Sequence, residues 1–165
     1  LRQNTGGNMW PMLAGLNALI DDGTVGYFVS PASKKMRPWI SKNGRYNFHL
    51  RKINNYKIND RKVKIAVLID TMTVSSGEMA AISFIGLPNV KVFGHPSAGL
   101  TTGNNIYKLS DGTQLNLATI YVADRTRKPY RDKVIPDVIV SGNATSGLDA
   151  TIETSKKWLL QVDAN

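Results

Sequence analysis

Hydrophobic positions along the chain switch between two periods. Met9, Met12, Leu13, Leu16, Leu19 and Ile20 recur at helical spacing, which predicts an amphipathic helix of about three turns over residues 8–23, closed by Asp21-Asp22-Gly23. "VGYFV" follows as a short strand, and the near-unbroken run "KVKIAVLID" fits a strand buried on both faces. "GEMAAISFIGL" returns to helical spacing and stops at Gly86 and Pro88. "VKVFG" is a further strand, followed by the glycine- and threonine-rich loop "HPSAGLTTGN". Two alternating runs in "IYKLSDGTQLNLATIYVAD", joined at Ser110-Asp111-Gly112, predict a hairpin. A loop then leads to the short strand "VIV" and to a last helix, "SGLDATIETSKKWLLQ", with Ile152, Trp158 and Leu159 on one side. Strands alternating with helices predict an α/β domain with a partly parallel sheet, flanked by helices and the β-hairpin.

Composition narrows the class. With 165 residues, 42% hydrophobic and 20% charged, the chain can bury one core and is not of disordered type. No apolar run approaches the length needed to cross a bilayer, and no signal-peptide pattern opens the chain. Residues 1–165 therefore read as a single domain without internal repeats or linkers. The absence of cysteine excludes disulfides, thiolate metal sites and cysteine nucleophiles. The two histidines, His49 and His95, lack metal-ligand spacing, so neither a metal nor another cofactor is expected.

The formal charge of +9 is unevenly placed. Residues 34–64 hold eleven lysines and arginines against one acid, Asp60, which leaves the remainder close to neutral. We read this stretch as a basic, irregular excursion or short edge strands. Its aromatics, Trp39, Tyr46, Phe48 and Tyr56, are interleaved as in single-strand nucleic-acid binders. No nucleic-acid-binding motif accompanies them, so specific nucleic-acid binding is not expected, and an anionic envelope surface is the candidate partner.

The chemistry concentrates in "TMTVSSGEMAA", residues 71–81, at the junction of the buried strand and its helix. Ser75 and Glu78 have capping-box spacing. The same place suits an oxygen nucleophile, because backbone N–H groups at a helix start can hold an oxyanion. For Ser75 as nucleophile, the Ser76 N–H is a natural first donor, being the residue after it. "NTGGN", residues 4–8, is a candidate for the second, since glycine lets backbone approach a reacting carbonyl.

Five blocks in order, "LRQNTGGNM", "TVSSGEMAAISF", "VFGHPSAGLTTGN", "LSDGTQLNLAT" and "VIPDVIV", resemble the catalytic core of the C-terminal-processing (tail-specific) serine peptidase family. Within it the chain is most similar to the Gram-positive nisin-resistance-like branch, and the blocks span roughly residues 1–140. The resemblance implies a crotonase/ClpP-like layered α/β core, Ser75 as nucleophile, and an oxyanion hole made by Ser76 N–H with a glycine of the Gly6-Gly7 pair. Members with a Ser–Lys dyad carry the lysine at the position filled here by Leu100, which cannot take a proton. The resemblance is therefore to the branch with a histidine base, which lies upstream of the "NTGGN" block. The expectation is a core truncated at its N-terminal side, with its base outside residues 1–165 and little activity alone.

Neither local histidine matches the family's catalytic position. For a third member of the site, relatives place an acid before the "V-x-P-D" turn. Here Arg131 stands where a glutamate is expected, so Asp132 is the candidate acid, while Asp137 reads as a turn residue after Pro136. The expected function is a serine endopeptidase acting on peptide or protein substrates by acyl transfer. By resemblance it would be extracellular or membrane-anchored on the envelope side. The alternative is a non-catalytic peptide-binding module of the same fold.

Overall fold

The computed structural model describes residues 1–46, 58, 63–141 and 149–161. Two sheets share one core. Strands β1 (Gly23–Val29), β2 (Met36–Lys42) and β3 (Arg45–Tyr46) join β6 (Thr102–Lys108), β7 (Gln114–Asp124) and β8 (Pro129–Tyr130) in an antiparallel sheet. Its order is β3-β2-β1-β7-β6, with β8 also pairing β7. The second sheet holds β4 (Ile65–Ile69), β5 (Val90–Gly94) and β9 (Val138–Ile139), all parallel, with β5 in the middle.

The expected parallel pairing is thus present but confined to three strands. The predicted hairpin is β6–β7, and it belongs to the antiparallel sheet rather than flanking a mixed one. Helix α2 (Ser76–Ile82) crosses from β4 to β5 as the helix of a β-α-β unit. All seven of its residues are buried, as befits a helix covered on every side. Strand β4 buries Val67 and Ile69 while Ala66 and Leu68 are only half-buried, so it is less enclosed than its apolar run suggests.

Helix α1 (Met9–Gly15) starts on Asn8, whose side chain accepts the Trp10 N–H, and continues as a 3-10 turn over Asn17–Leu19. The single long helix predicted there is therefore two pieces. Met9, Leu13, Val25, Trp39, Tyr46, Val67, Ile69, Met79, Ile82, Val92 and Val122 form one cluster drawn from both sheets, α1 and α2. Helix α3 (Ala150–Leu159) packs on β4 and β5. It seats Thr151 and Ser155, with Trp158 on the Phe93 ring at 5.6 Å between centroids. Leu159 faces away at 40% exposure, so the seated face is rotated from the one its larger apolar residues suggested.

The basic stretch is corrected in part. Its described portion supplies β2 and β3, and Trp39 and Tyr46 are fully buried. Gly26 on β1 makes room for Trp39, because a β-carbon there would lie 2.5 Å from the indole. These two aromatics hold the core and are not available to stack on bases. Phe48, His49 and Tyr56 lie outside the described residues. Among the described residues, no helix is long and apolar enough to cross a membrane, and no cluster of His, Asp and Glu could hold a metal ion.

Candidate active site

Beyond the carboxyl end of β4 the chain makes a tight turn. Asp70 accepts the Met72 N–H at 2.9 Å, and the Thr73 N–H donates to Asp70 O. Ligands of parallel sheets gather at this end of the strands. Ser75 follows as the residue capping α2, half-buried, with φ 53° and ψ −116°. For a residue with a β-carbon this is sparsely populated backbone, costing on the order of 1–3 kcal/mol unless its surroundings hold it.

The surroundings do hold it. Ser75 N–H donates to Glu78 Oε2 at 2.8 Å, the backbone half of a capping box. Glu78 is fully buried, and three further donors converge on it. Leu100 N–H reaches Oε2 at 2.9 Å, Gly99 N–H reaches Oε1 at 2.8 Å, and Ser97 Oγ–H reaches Oε1 at 2.5 Å. Ser97 Oγ in turn accepts the Val134 N–H at 2.8 Å, and Ala98 N–H donates to Thr73 O.

The N-terminal strap lies against this turn. Gln3 N–H donates to the Asp70 carboxylate, Val74 N–H to Asn4 O at 2.9 Å, and Ser76 Oγ–H to Gly7 O at 2.7 Å. Arg2 pairs with Asp149, the N-cap of α3, at 2.5 Å. That hydrogen bond from Arg2, with those from Ile152 and Thr151 N–H, holds the Asp149 carboxyl below the usual carboxylate range. Gly6 sits directly on the serine: a β-carbon at Gly6 would lie 3.0 Å from Ser75 Cβ and 3.4 Å from Ser76 N.

The amides of this corner divide into engaged and open. Ser75 N–H serves Glu78, Gly77 N–H serves Val74 O, and Gly6 N–H serves Asn4 Oδ1 at 3.1 Å. Among the described residues, no acceptor takes the N–H of Ser76 or of Gly7. Ser75, Ser76, Gly6 and Gly7, singled out from sequence, therefore meet in one place.

The remaining candidates stand apart. Asp132 is exposed, and its Oδ1 would lie 2.9 Å from a β-carbon on Gly99, across the 97–101 loop from α2. No hydrogen bond reaches its carboxylate among the described residues. Asp137 does more than turn the chain, because its Oδ2 accepts the Val92 N–H of β5 at 2.7 Å. His95 is exposed just past β5, its N–H on Ile69 O. Leu100 is 56% exposed. Sequence reading missed how much Glu78, Asn4 and Ser97 do. Serine-to-glutamate spacing marks a helix start, but only the fold brings residues 97–100 onto that carboxylate.

Comparison with known proteins places the chain in a lineage. The model of peptidase family S41 matches residues 1–140. The nisin-resistance protein of Lactococcus lactis subsp. lactis is 39% identical over 161 residues, which is 95% of this chain and 49% of the relative. A lipoprotein from Streptococcus agalactiae superposes with a TM-score of 0.75 at 34% identity, over 96% of this chain and 52% of that one. The photosystem II D1 C-terminal processing protease superposes with a TM-score of 0.64 at 19% identity, over 86% and 33%, a likeness of fold. The chain spans about half the length of the first two relatives.

Proposed function

This chain belongs to peptidase family S41, and from that premise we propose that it carries the nucleophile and oxyanion hole of a serine endopeptidase. The carrying observation is the corner at residues 75–76. Ser75 stands in strained backbone at a strand-to-helix turn, close to the Ser76 and Gly7 amides, neither of which has an acceptor among the described residues. Strained turns of this kind present a serine oxygen above a parallel sheet in other hydrolases.

In this reading Ser75 Oγ attacks the scissile carbonyl carbon, and the negative charge developing on the carbonyl oxygen is held by Ser76 N–H and Gly7 N–H. Of the two glycines, the engagement of Gly6 N–H by Asn4 favours Gly7 as donor. Gly6 then contributes close approach. The proton leaves Ser75 for a histidine outside residues 1–165, because Leu100 cannot accept it and His49 and His95 match no catalytic position of the family. Asp132, whose carboxylate no described residue engages, is the candidate acid toward that imidazole. Collapse of the tetrahedral intermediate expels the amine and leaves an acyl-serine, which water hydrolyses by the reverse proton path.

The finer assignments follow the same reading. Residues 1–165 form one peptidase core with crotonase/ClpP-like layering, supported by the likeness of fold to the D1 processing protease. Peptides or proteins are the substrates. The names of the lipoprotein and nisin-resistance relatives support a location on the envelope side, where the basic stretch would face anionic polymer or lipid.

Labelling the full-length protein with a fluorophosphonate tests the nucleophile: modification is expected at Ser75 and lost in Ser75→Ala. Undiminished labelling of that variant removes the assignment, and no labelling of either form favours a peptide-binding module. Residues 1–165 alone are expected to be essentially inactive, since a nucleophile without its base retains little rate.

A further inference from the structure

Resting on that reading of Ser75, we propose that Glu78 is the positioning residue of the site, a buried clamp that sets the nucleophile's backbone and welds it to the 97–100 loop. Neither the helix start nor the chemistry of acyl transfer requires a carboxylate with four donors. A capping glutamate needs one partner, the N–H of the cap residue. Here Oε2 holds the Ser75 and Leu100 amides together, and Oε1 holds the Gly99 amide and the Ser97 hydroxyl. Ser97 passes the connection on to Val134 N–H. One side chain therefore joins the helix start, the loop after β5 and the segment leading to β9.

Two consequences for catalysis follow. Strained backbone persists only where it is over-determined, and the hydrogen bond from Ser75 N–H to a fully buried carboxylate supplies that constraint. The same bond removes Ser75 N–H from the set of oxyanion donors, which leaves that work to Ser76 and a neighbouring strand of backbone. Without the clamp the Ser75 amide is unengaged and its backbone can relax toward ordinary φ. Oγ then moves relative to the Ser76 and Gly7 amides. Misplacement of reacting groups by about 1 Å costs on the order of a hundredfold in rate.

The test compares Glu78→Gln with a matched control in the full-length protein. Asp124 is also a buried carboxylate with four donors, from Thr126 N–H and Oγ1, Lys128 N–H and Tyr130 Oη, but it lies in the turn after β7. Saturation kinetics of fluorophosphonate labelling separate reactivity (kinact) from affinity (KI). For Glu78→Gln we expect kinact to fall on the order of ten- to a hundredfold with KI unchanged. Asp124→Asn is expected to lower Tm while leaving kinact as in the unaltered protein. Equal kinact in Glu78→Gln and the unaltered protein overturns the proposal, as does a loss in both variants that tracks their loss of Tm.

Amide hydrogen exchange on the unaltered protein gives a readout independent of reactivity and of the variants folding. Ser75, Gly99 and Leu100 N–H are expected to be protected together, and exchange of any one at the rate of an open amide overturns the clamp. Labelling that persists in Ser75→Ala removes the nucleophile reading, and the positioning role falls with it. Labelling that requires Ser75 but ignores Glu78→Gln removes the positioning role alone.

Discussion

The carbonyl oxygen of Asn4 occupies the space where a side chain on Gly77 would begin: a β-carbon there would lie 2.6 Å from Asn4 O and 2.9 Å from Asn4 Cγ. The N-terminal strap and the first turn of α2 are thus in backbone contact, fastened by Val74 N–H on the same oxygen. Gly77→Ala must push the strap away. Such overpacking costs about 1–3 kcal/mol, and it also displaces Gly6 and Gly7 from Ser76. The expected outcome is a folded protein with lowered Tm and strongly reduced Ser75 labelling, read by denaturation and fluorophosphonate kinetics on one preparation.

Gly6 and Gly7 should differ in how they fail. Both have left-handed φ, 94° and 121°, so alanine at either costs about 1–2 kcal/mol of backbone strain. Only at Gly6 does the new β-carbon also meet Ser75 Cβ and Val74 O, each at 3.0 Å, whereas at Gly7 it finds only Met12 Cε at 3.9 Å. Gly6→Ala should therefore depress labelling of Ser75 well below Gly7→Ala, and lower Tm further. The reverse order would argue against Gly6 as the residue of close approach.

His95→Ala serves as a control on the missing base. His95 is exposed, and its described hydrogen bond is made by its backbone N–H, to Ile69 O. Labelling and peptide hydrolysis by the full-length variant should match the unaltered protein. Loss of both, with Tm unchanged, would instead make His95 the proton acceptor.

Alkali should unfold the domain through two buried phenols. Burial pushes Tyr46 up to about 12. Tyr130 is pushed higher still, first by burial and then by Asp124, whose Oδ2 accepts its hydroxyl at 3.0 Å. A phenol whose folded pKa exceeds its ordinary value of 10.0 holds its proton more tightly in the folded state. Its contribution to stability is complete below pH 10 and is lost as pH rises from 10 through the folded value. Tyrosinate absorbance and loss of circular dichroism should therefore appear together above pH 10. Tyr130→Phe should soften this alkaline limb while costing about 1.5–3 kcal/mol at neutral pH, through the lost hydrogen bond to a charged partner.

Much of the site could be read along the chain because its parts are local. "TVSSGEMAA" announces a serine at a strand-to-helix turn through the end of one apolar run and the onset of helical spacing. The paired glycines of the strap declare backbone that approaches something closely. These signals sit within a few residues of the groups they describe, so no knowledge of the fold is required to see them.

Other features depend on contacts between distant segments. Trp39 and Tyr46 lie among basic residues and looked like surface, yet pairing of β2 with β1 and β3 turns both into the core. Helix α3 packs on β4 and β5 with Thr151 and Ser155 buried and Trp158 on the Phe93 ring, while Leu159 stays 40% exposed.

By itself, then, the sequence determined a mixed α/β domain, the strand–serine–helix unit and the glycine strap, because propensity and periodicity act over a few residues. Tertiary structure alone decided which amides around Ser75 stay open, and that Glu78 is the hub joining residues 75, 97, 99 and 100. The physical reason is that a hydrogen bond is settled by where its two groups finally stand. For Glu78, three of the four partners come from the loop that follows β5, about twenty residues further along the chain.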